Sequence, residues 1–368
     1  MTRILTFFII VFFLFAPAFG ETAREYFKFA KFNYDSKEYQ KALVLIDKAI
    51  AMEPNYVNGL LLRAEINYGL NKFTNVVDDV TAAFELDIEA GRTRAEYHLL
   101  RGDAHYQLAN IEDAITDIDQ CIKINPENAK AYFLRAEINI QELKYFEAVE
   151  NFDLAIKYDA DESNFYLKRA ELKKMYYKPM PGTKTYQGIM NDIKLAAELN
   201  TNDYRPYKLK CDMLKLDKKY KKEDLIEILD GYIEHFPEQA VFYSERGLAN
   251  VLNYNYGLAL KDFTKAIQLD GQNEANYRNR GVCFHNMKKY QLALNDYTSS
   301  IKILINKYQE SEQDDAVKRL LAQTFNMRGM TNQYNGNSDL ACDDYYNAAK
   351  LGSNTGLNNY RKNCNVFN

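Results

Sequence analysis

The chain has 368 residues, with 47 Lys and Arg against 51 Asp and Glu, for a net charge of −4. That balance argues against general nucleic-acid binding, which needs a basic face. With 7 Pro, 16 Gly, 29 Tyr, 21 Phe and no Trp, the composition permits long helices and leaves little room for long irregular segments.

Residues 1–20 stand apart from the rest of the chain. Met1-Thr2-Arg3 supplies a positive charge, Ile4 to Phe15 is an apolar run broken only by Thr6, and the stretch ending Ala18-Phe19-Gly20 has the small-x-small pattern of a cleavage site. The expectation is a signal peptide cleaved near Gly20. A membrane anchor is the rival, but twelve helical residues rise only about 18 Å against a hydrocarbon core of about 30 Å. The mature chain is therefore expected to be exported and to lack a membrane span. None of the 35 Asn lies in an Asn-x-Ser/Thr sequon, which mildly disfavours a eukaryotic secretory route. The expected location is periplasmic, cell-surface or secreted, in a Gram-negative bacterium.

From residue 21 a single unit recurs. Arg followed by Gly or Ala occurs at Arg63, Arg101, Arg135, Arg169, Arg246, Arg280 and Arg328, at intervals of 38, 34, 34, 77, 34 and 48 residues. An aromatic residue or His stands three before the Arg in most copies, and Ala or Val follows twelve residues after the small residue in six. A period of 34 marks a repeat array rather than a globular enzyme. Aligned on the small residue, the repeats start near 23, 57, 95, 129, 163, 204, 240, 274 and 322. In the repeat that begins at Ala240, Arg246 is position 7, Gly247 position 8, Ala259 position 20, Phe263 position 24 and Ala266 position 27. Positions 8, 20 and 27 are small where two helices cross closely, and positions 4 and 24 are bulky where gaps between repeats are filled. Each repeat thus reads as a helix of about 14 residues, a tight turn, a second helix and a Pro, Gly or Asn stop.

Tyr132, Ala136, Ala148, Phe152 and Ala155 in one copy, Tyr277, Gly281, Ala293 and Tyr297 in another, and the terminal Pro54, Pro126 and Pro237 carry a likeness. The chain resembles the tetratricopeptide repeat (TPR) family over nearly all of residues 21–352, departing from it in having Arg rather than Leu at position 7. The resemblance implies an all-α, right-handed superhelical solenoid of about nine helix-turn-helix repeats, closed by a capping helix within residues 353–368. The ending, with a helix stop at Gly352 and a short amphipathic helix over Thr355 to Asn363, is similar to exported TPR proteins of Bacteroidota.

Insertions interrupt the period. They lie near Glu89 to Arg92, around Lys178 to Lys184 where Pro and Gly mark a surface loop, and around Ile305 to Leu320, whose composition suits lengthened helices. Cys121, Cys211, Cys283, Cys342 and Cys364 are never closer than 22 residues and form no metal motif. Cys121 and Cys211 replace small core residues. Cys342 and Cys364 lie ten residues before and twelve after Gly352, so two helices reversing there would bring them together, and an oxidising compartment would allow a disulfide.

No constellation for catalysis is present: Gly-x-x-x-x-Gly-Lys, Gly-x-Ser-x-Gly and His-Glu-x-x-His are all missing. His98 and His105 share a helical face but occupy core aromatic positions, so no metal or cofactor is expected. Binding remains. The resemblance assigns positions 2, 5, 9, 12 and 13 to a concave groove. Position 5 reads Phe27, Leu61, Leu99, Phe133 and Leu167; position 9 turns acidic at Glu65, Asp103, Glu137, Glu171 and Asp212; position 12 adds Tyr34, Tyr68 and Tyr106. Such a channel suits an extended protein segment carrying Lys or Arg among apolar side chains. The competing reading pairs the position-9 acids with the position-7 Arg as an internal ion-pair ladder. The family's clamp for acidic C-terminal tails is disfavoured, because it needs Lys at position 5 and Asn or Arg at position 9. A non-enzymatic envelope scaffold is the leading reading. The alternatives are an envelope-assembly component acting through its convex face and inserted loop, and a recognition subunit for glycan or lipid precursors.

Overall fold

A computed structural model describes residues 22–88, 94–217, 221–310 and 314–364. The expected signal peptide, and all but Ile88 and Arg94 of the stretch around the first insertion, lie outside the described residues. The described residues form nineteen helices and no strand, and none of these helices is long and apolar enough to cross a membrane.

The chain divides into two compact bodies, one ending at Lys178 and one beginning at Pro179. In the N-terminal body four helix pairs succeed one another: α1 (Ala23–Asp35) with α2 (Tyr39–Met52), α3 (Val57–Gly69) with α4 (Phe73–Leu86), α5 (Ala95–Gln107) with α6 (Ile111–Ile124), and α7 (Ala129–Gln141) with α8 (Tyr145–Tyr158). Helix α9 (Ser163–Tyr177) completes this body. The C-terminal body opens with α10 (Lys184–Leu199) and continues through α11 (Arg205–Leu214) and α12 (Lys222–His235), α13 (Ala240–Leu252) and α14 (Tyr256–Leu269), α15 (Glu274–Asn286) and α16 (Tyr290–Glu310), and α17 (Asp315–Tyr334) and α18 (Ser338–Lys350), before α19 (Asn354–Asn363). The insertion around Ile305 to Leu320 is taken up by length: α16 has 21 residues and α17 has 20, where most other helices have 13 or 14.

Local chemistry accounts for the helix ends. Thr22 and Glu25 form a capping box on α1, the Thr hydroxyl accepting from Glu25 N at 3.3 Å and the Glu carboxylate from Thr22 N at 2.9 Å. Between the helices of a pair one residue sits in the left-handed region: Lys37, Asn71, Ala109, Leu143, Tyr254, Lys288 or Gly336, with φ from 58° to 81°. The next amide then reaches back to the carbonyl of the residue five before it, as in Lys289 N to Phe284 O at 2.8 Å. Only one of these seven turns uses Gly, so most carry the steric cost that a side chain meets there.

The small residue at position 8 is set by the aromatic ring opposite. A Cβ on Gly281 would lie 2.9 Å from the Tyr297 ring, and one on Gly329 would lie 2.8 Å from the Tyr345 ring. Those rings are sealed, at 2% and 1% exposure, so neither can yield.

In five pairs the Arg at position 7 anchors the pair by a two-pronged bond to a buried acid sixteen residues on. Arg63 holds Asp79, Arg101 holds Asp117, Arg246 holds Asp262, Arg280 holds Asp296 and Arg328 holds Asp344, with closest approaches of 2.6 to 2.7 Å. Asn151 takes the same place for Arg135 at 2.8 Å. The guanidinium also reaches back to the preceding pair, to Asp47, Thr81, Asp119, Asp153, Asp230, Thr264 or Thr298. Planar, five-donor Arg suits this double role, which Lys could not fill. In three pairs an Asn adds a bond to the buried acid: Asn67, Asn250 and Asn332.

Candidate functional site

In the N-terminal body the first helices α3, α5, α7 and α9 present the residues at issue, and Leu99, Asp103, Tyr106, Phe133 and Glu137 meet in one open pocket of about 490 Å³ with Lys168 at its edge. Phe133 is braced from behind by Phe152 and Phe165, with ring centroids 5.6 and 4.9 Å away. Lys130 and Glu162 also border this space, so its charge is mixed with a surplus of carboxylates.

The position-9 acids are not partners of the position-7 Arg. Those Arg are committed to the second helices, and the ladder reading of the acidic stripe fails on that point. Glu65, Asp103 and Glu137 instead bridge neighbouring first helices. Glu65 accepts from the Tyr97 hydroxyl at 3.1 Å and has Lys31 at 3.9 Å. Asp103 accepts from the Tyr68 hydroxyl at 2.5 Å and from Gln107 at 3.2 Å. Glu137 meets Lys168 through Oε2 at 3.5 Å, while its Oε1 is buried and accepts no hydrogen bond. Burial raises the Glu65 carboxyl above its usual value against the opposing pull of Lys31 and Tyr97. Burial, with the carboxylates of Asp103 and Glu65, likewise pushes the Tyr68 and Tyr97 hydroxyls up, so both stay protonated donors at neutral pH.

The remaining candidates are placed differently. Leu61 and Leu167, expected to line the groove, are 1% and 0% exposed; both pack inward and offer no surface to a ligand. Phe27 is half-buried against Tyr56 at 5.3 Å, and Tyr34 lies beside Tyr39 with the Lys31 ammonium 4.6 Å from its ring. Tyr106 accepts from Gln141 at 3.0 Å, and Glu171 is exposed. Asp212 belongs to the C-terminal body, where Lys208 at 2.6 Å and Lys215 at 3.2 Å enclose it and also reach Glu245. Sequence reasoning missed Tyr97 and Lys168, which lie within the first two turns of their helices; their signal is an offset of about one repeat from the acids they meet.

His98 and His105 do not converge on a metal: His98 Nδ1 lies 2.9 Å from Asp117 Oδ1, and among the described residues no three His, Cys, Asp or Glu are grouped to hold an ion. Cys121, Cys211 and Cys283 are fully buried free thiols whose pKa burial raises to about 11, 12 and 11. Cys342 and Cys364 are bonded, with Cα atoms 5.7 Å apart, tying the end of α19 to α18.

The tetratricopeptide repeat family matches residues 95–128, which contain the α5–α6 pair. Serine/threonine-protein phosphatase 5 of Rattus norvegicus is 31% identical over 170 residues, 43% of this chain and 32% of the phosphatase. The human protein SGT1 homolog is 30% identical over 78 residues, 21% of each chain. The chain therefore spans about a third or less of the curated relatives it matches. Among solved structures, yeast Tom70 aligns over 94% of this chain and 88% of its own at 14% identity, with a TM-score of 0.45. The matched pair shares its Arg-small step and left-handed turn with the pairs on either side of it, and its buried acid with the α3–α4 pair, so the tetratricopeptide repeat found at residues 95–128 has neighbours of the same design.

Proposed function

We propose that this protein is a non-enzymatic protein-protein interaction scaffold of the cell envelope, binding an extended segment rich in Lys or Arg and apolar side chains along the first helices of its N-terminal body. The observation that carries the reading is the Glu137 carboxylate. Its Oε1 is buried and accepts no hydrogen bond, and Glu137 lines the pocket with Leu99 and Phe133. An unpaired buried acceptor is costly, and a turn of the Glu137 side chain toward the ligand-sized pocket would let a partner's donor satisfy it. A Lys or Arg side chain entering between Leu99 and Phe133 would supply that donor, Asp103 would add a second charge, and Lys168 at the edge would disfavour a misplaced cation. Export is supported by the leader-like residues 1–20 and by the Cys342–Cys364 bond, a kind that persists in oxidising compartments.

The test is fluorescence anisotropy with a labelled Leu-Lys-Leu-Lys-Leu-Lys peptide. Glu137→Gln should weaken binding about tenfold, within the range for truncating a desolvated charge contact, and added salt should weaken the wild type further. Binding indifferent to both, in a variant with unchanged helicity, removes the groove reading.

A further inference from the structure

Within the C-terminal body the α11–α12 pair lacks the Arg–Asp bond that the three following pairs make. In α11, Lys210 precedes the small Cys211 as Arg246 precedes Gly247. Both carboxylates that serve Arg246 are missing from this register. Leu225 and Leu229 of α12 align with Ala259 and Phe263 of α14, which puts Ile228 where Asp262 stands. On the preceding helix, α10, Lys194 comes two residues after the buried Asp192, as Thr264 comes after Asp262 and Asp119 after Asp117. A lysine thus replaces the oxygen-bearing side chain that the next repeat's cation normally reaches. Lys210 and Lys194 therefore stand at positions that elsewhere hold the lattice's cation and one of its oxygen partners.

A pocket of about 420 Å³ opens at this gap, between α10, α11 and α12. Its wall is apolar: Met190, Ile193, Ala197, Pro206, Tyr207 and Tyr232, the last two with ring centroids 5.1 Å apart. Lys194 and Lys210 border it, together with Thr201 and the carboxylate of Glu198. Lys210 makes no ion pair among the described residues. Lys194 has Glu198 at 3.6 Å, but both side chains are more than half exposed, a pairing too weak to hold the ammonium against a better-placed anion. The size is that of a small-molecule site, and such sites combine an apolar wall with a few polar groups that orient the ligand.

We infer that this pocket binds a small amphipathic carboxylate, with its apolar chain against Met190, Ile193 and Tyr207 and its carboxylate taken by Lys210 and Lys194. The chemical class is that of a medium-chain fatty acid. The ligand supplies the anion that Ile228 and Lys194 have removed from the lattice. This site lies in a different body from the peptide groove and does not rest on it.

The probe is decanoate, kept below its micellar concentration and followed by calorimetry and by the methyl resonance of Met190. Saturable one-to-one binding is expected, at least tenfold tighter than for decanol, with the Met190 resonance shifting in step. Lys210→Glu should weaken decanoate about tenfold, Lys210→Arg should retain it, and Ala197→Trp should block it; none should alter binding of the Leu-Lys peptide. No saturable binding at submillimolar decanoate overturns the inference. So does equal affinity for decanol, or an affinity unmoved by Lys210→Glu in a variant that melts like the wild type.

Discussion

Asp262→Ala tests whether the Arg–Asp lattice holds the repeats together. Asp262 is 4% exposed and receives Arg246 Nη2 at 2.6 Å, Arg246 Nε at 3.2 Å and Asn250 Nδ2 at 3.2 Å. Removing one partner of a buried pair costs about 3–5 kcal/mol. Here the Arg246 side chain is 24% exposed and keeps Asp230 at 2.6 Å, so water and the second acid offset part of the loss. The expected cost is about 2–3 kcal/mol. Asp262→Asn should cost only about 1 kcal/mol, because Asn151 already fills this role for Arg135 at 2.8 Å. Asp230→Ala should cost about 0.5 kcal/mol or less, since that side chain is 57% exposed. Repeat arrays open locally rather than all at once, so the readout is amide hydrogen exchange in α13 and α14, which reports their own opening free energy. Equal costs for Asp262→Ala and Asp230→Ala, or a loss below about 0.5 kcal/mol for Asp262→Ala, would refute the claim that the buried acid carries the lattice.

The same contacts predict two further outcomes. Cys364→Ser opens a covalent loop with a sequence separation of 22 residues, so amides of α19 should lose about 2–3 kcal/mol of protection while those of α13 and α14 keep theirs; equal loss in both places would mean that the bond does not act on the closing helix alone. Asp117 gives a pH dependence: burial pushes its carboxyl up, but hydrogen bonds from His98 and Arg101 outweigh that and hold it below the ordinary value. The folded state therefore binds fewer protons than the unfolded state in that window. The stability of the α5–α6 pair should be fully present above about pH 4 and be lost as pH falls through the depressed value. Exchange in α5 and α6 that shows no such fall, or an Asp117→Asn variant with the same fall, would count against this coupling.

Much of the fold could be read from the repeat. Helix crossings need small residues, and the repeat can place Gly247, Gly281 and, after the insertion, Gly329 at a crossing only if bulky side chains return opposite them. The left-handed turns were not legible, because Lys37, Leu143 and Tyr254 carry none of the Gly or Asn preference that usually marks them; the closing helix bonds impose that conformation. The acids sixteen residues after five of the seven Arg were present in the sequence, but spacing alone does not distinguish a buried acid such as Asp262 from an exposed one such as Asp230.

By itself the sequence determined the helical class, the register of the Arg-small step and which residues belong to the first helices, because these depend only on periodicity and side-chain volume. Tertiary structure decided the pairing. It gave the position-7 Arg to the second-helix acids and so released Glu65, Asp103 and Glu137 to bridge first helices. It turned Leu61 and Leu167 inward, and among the described residues it left Glu137 Oε1 without a hydrogen bond and Lys210 without an ion pair. Charge attraction has no memory of sequence spacing; which carboxylate meets which cation depends on how helices of successive repeats are brought side by side.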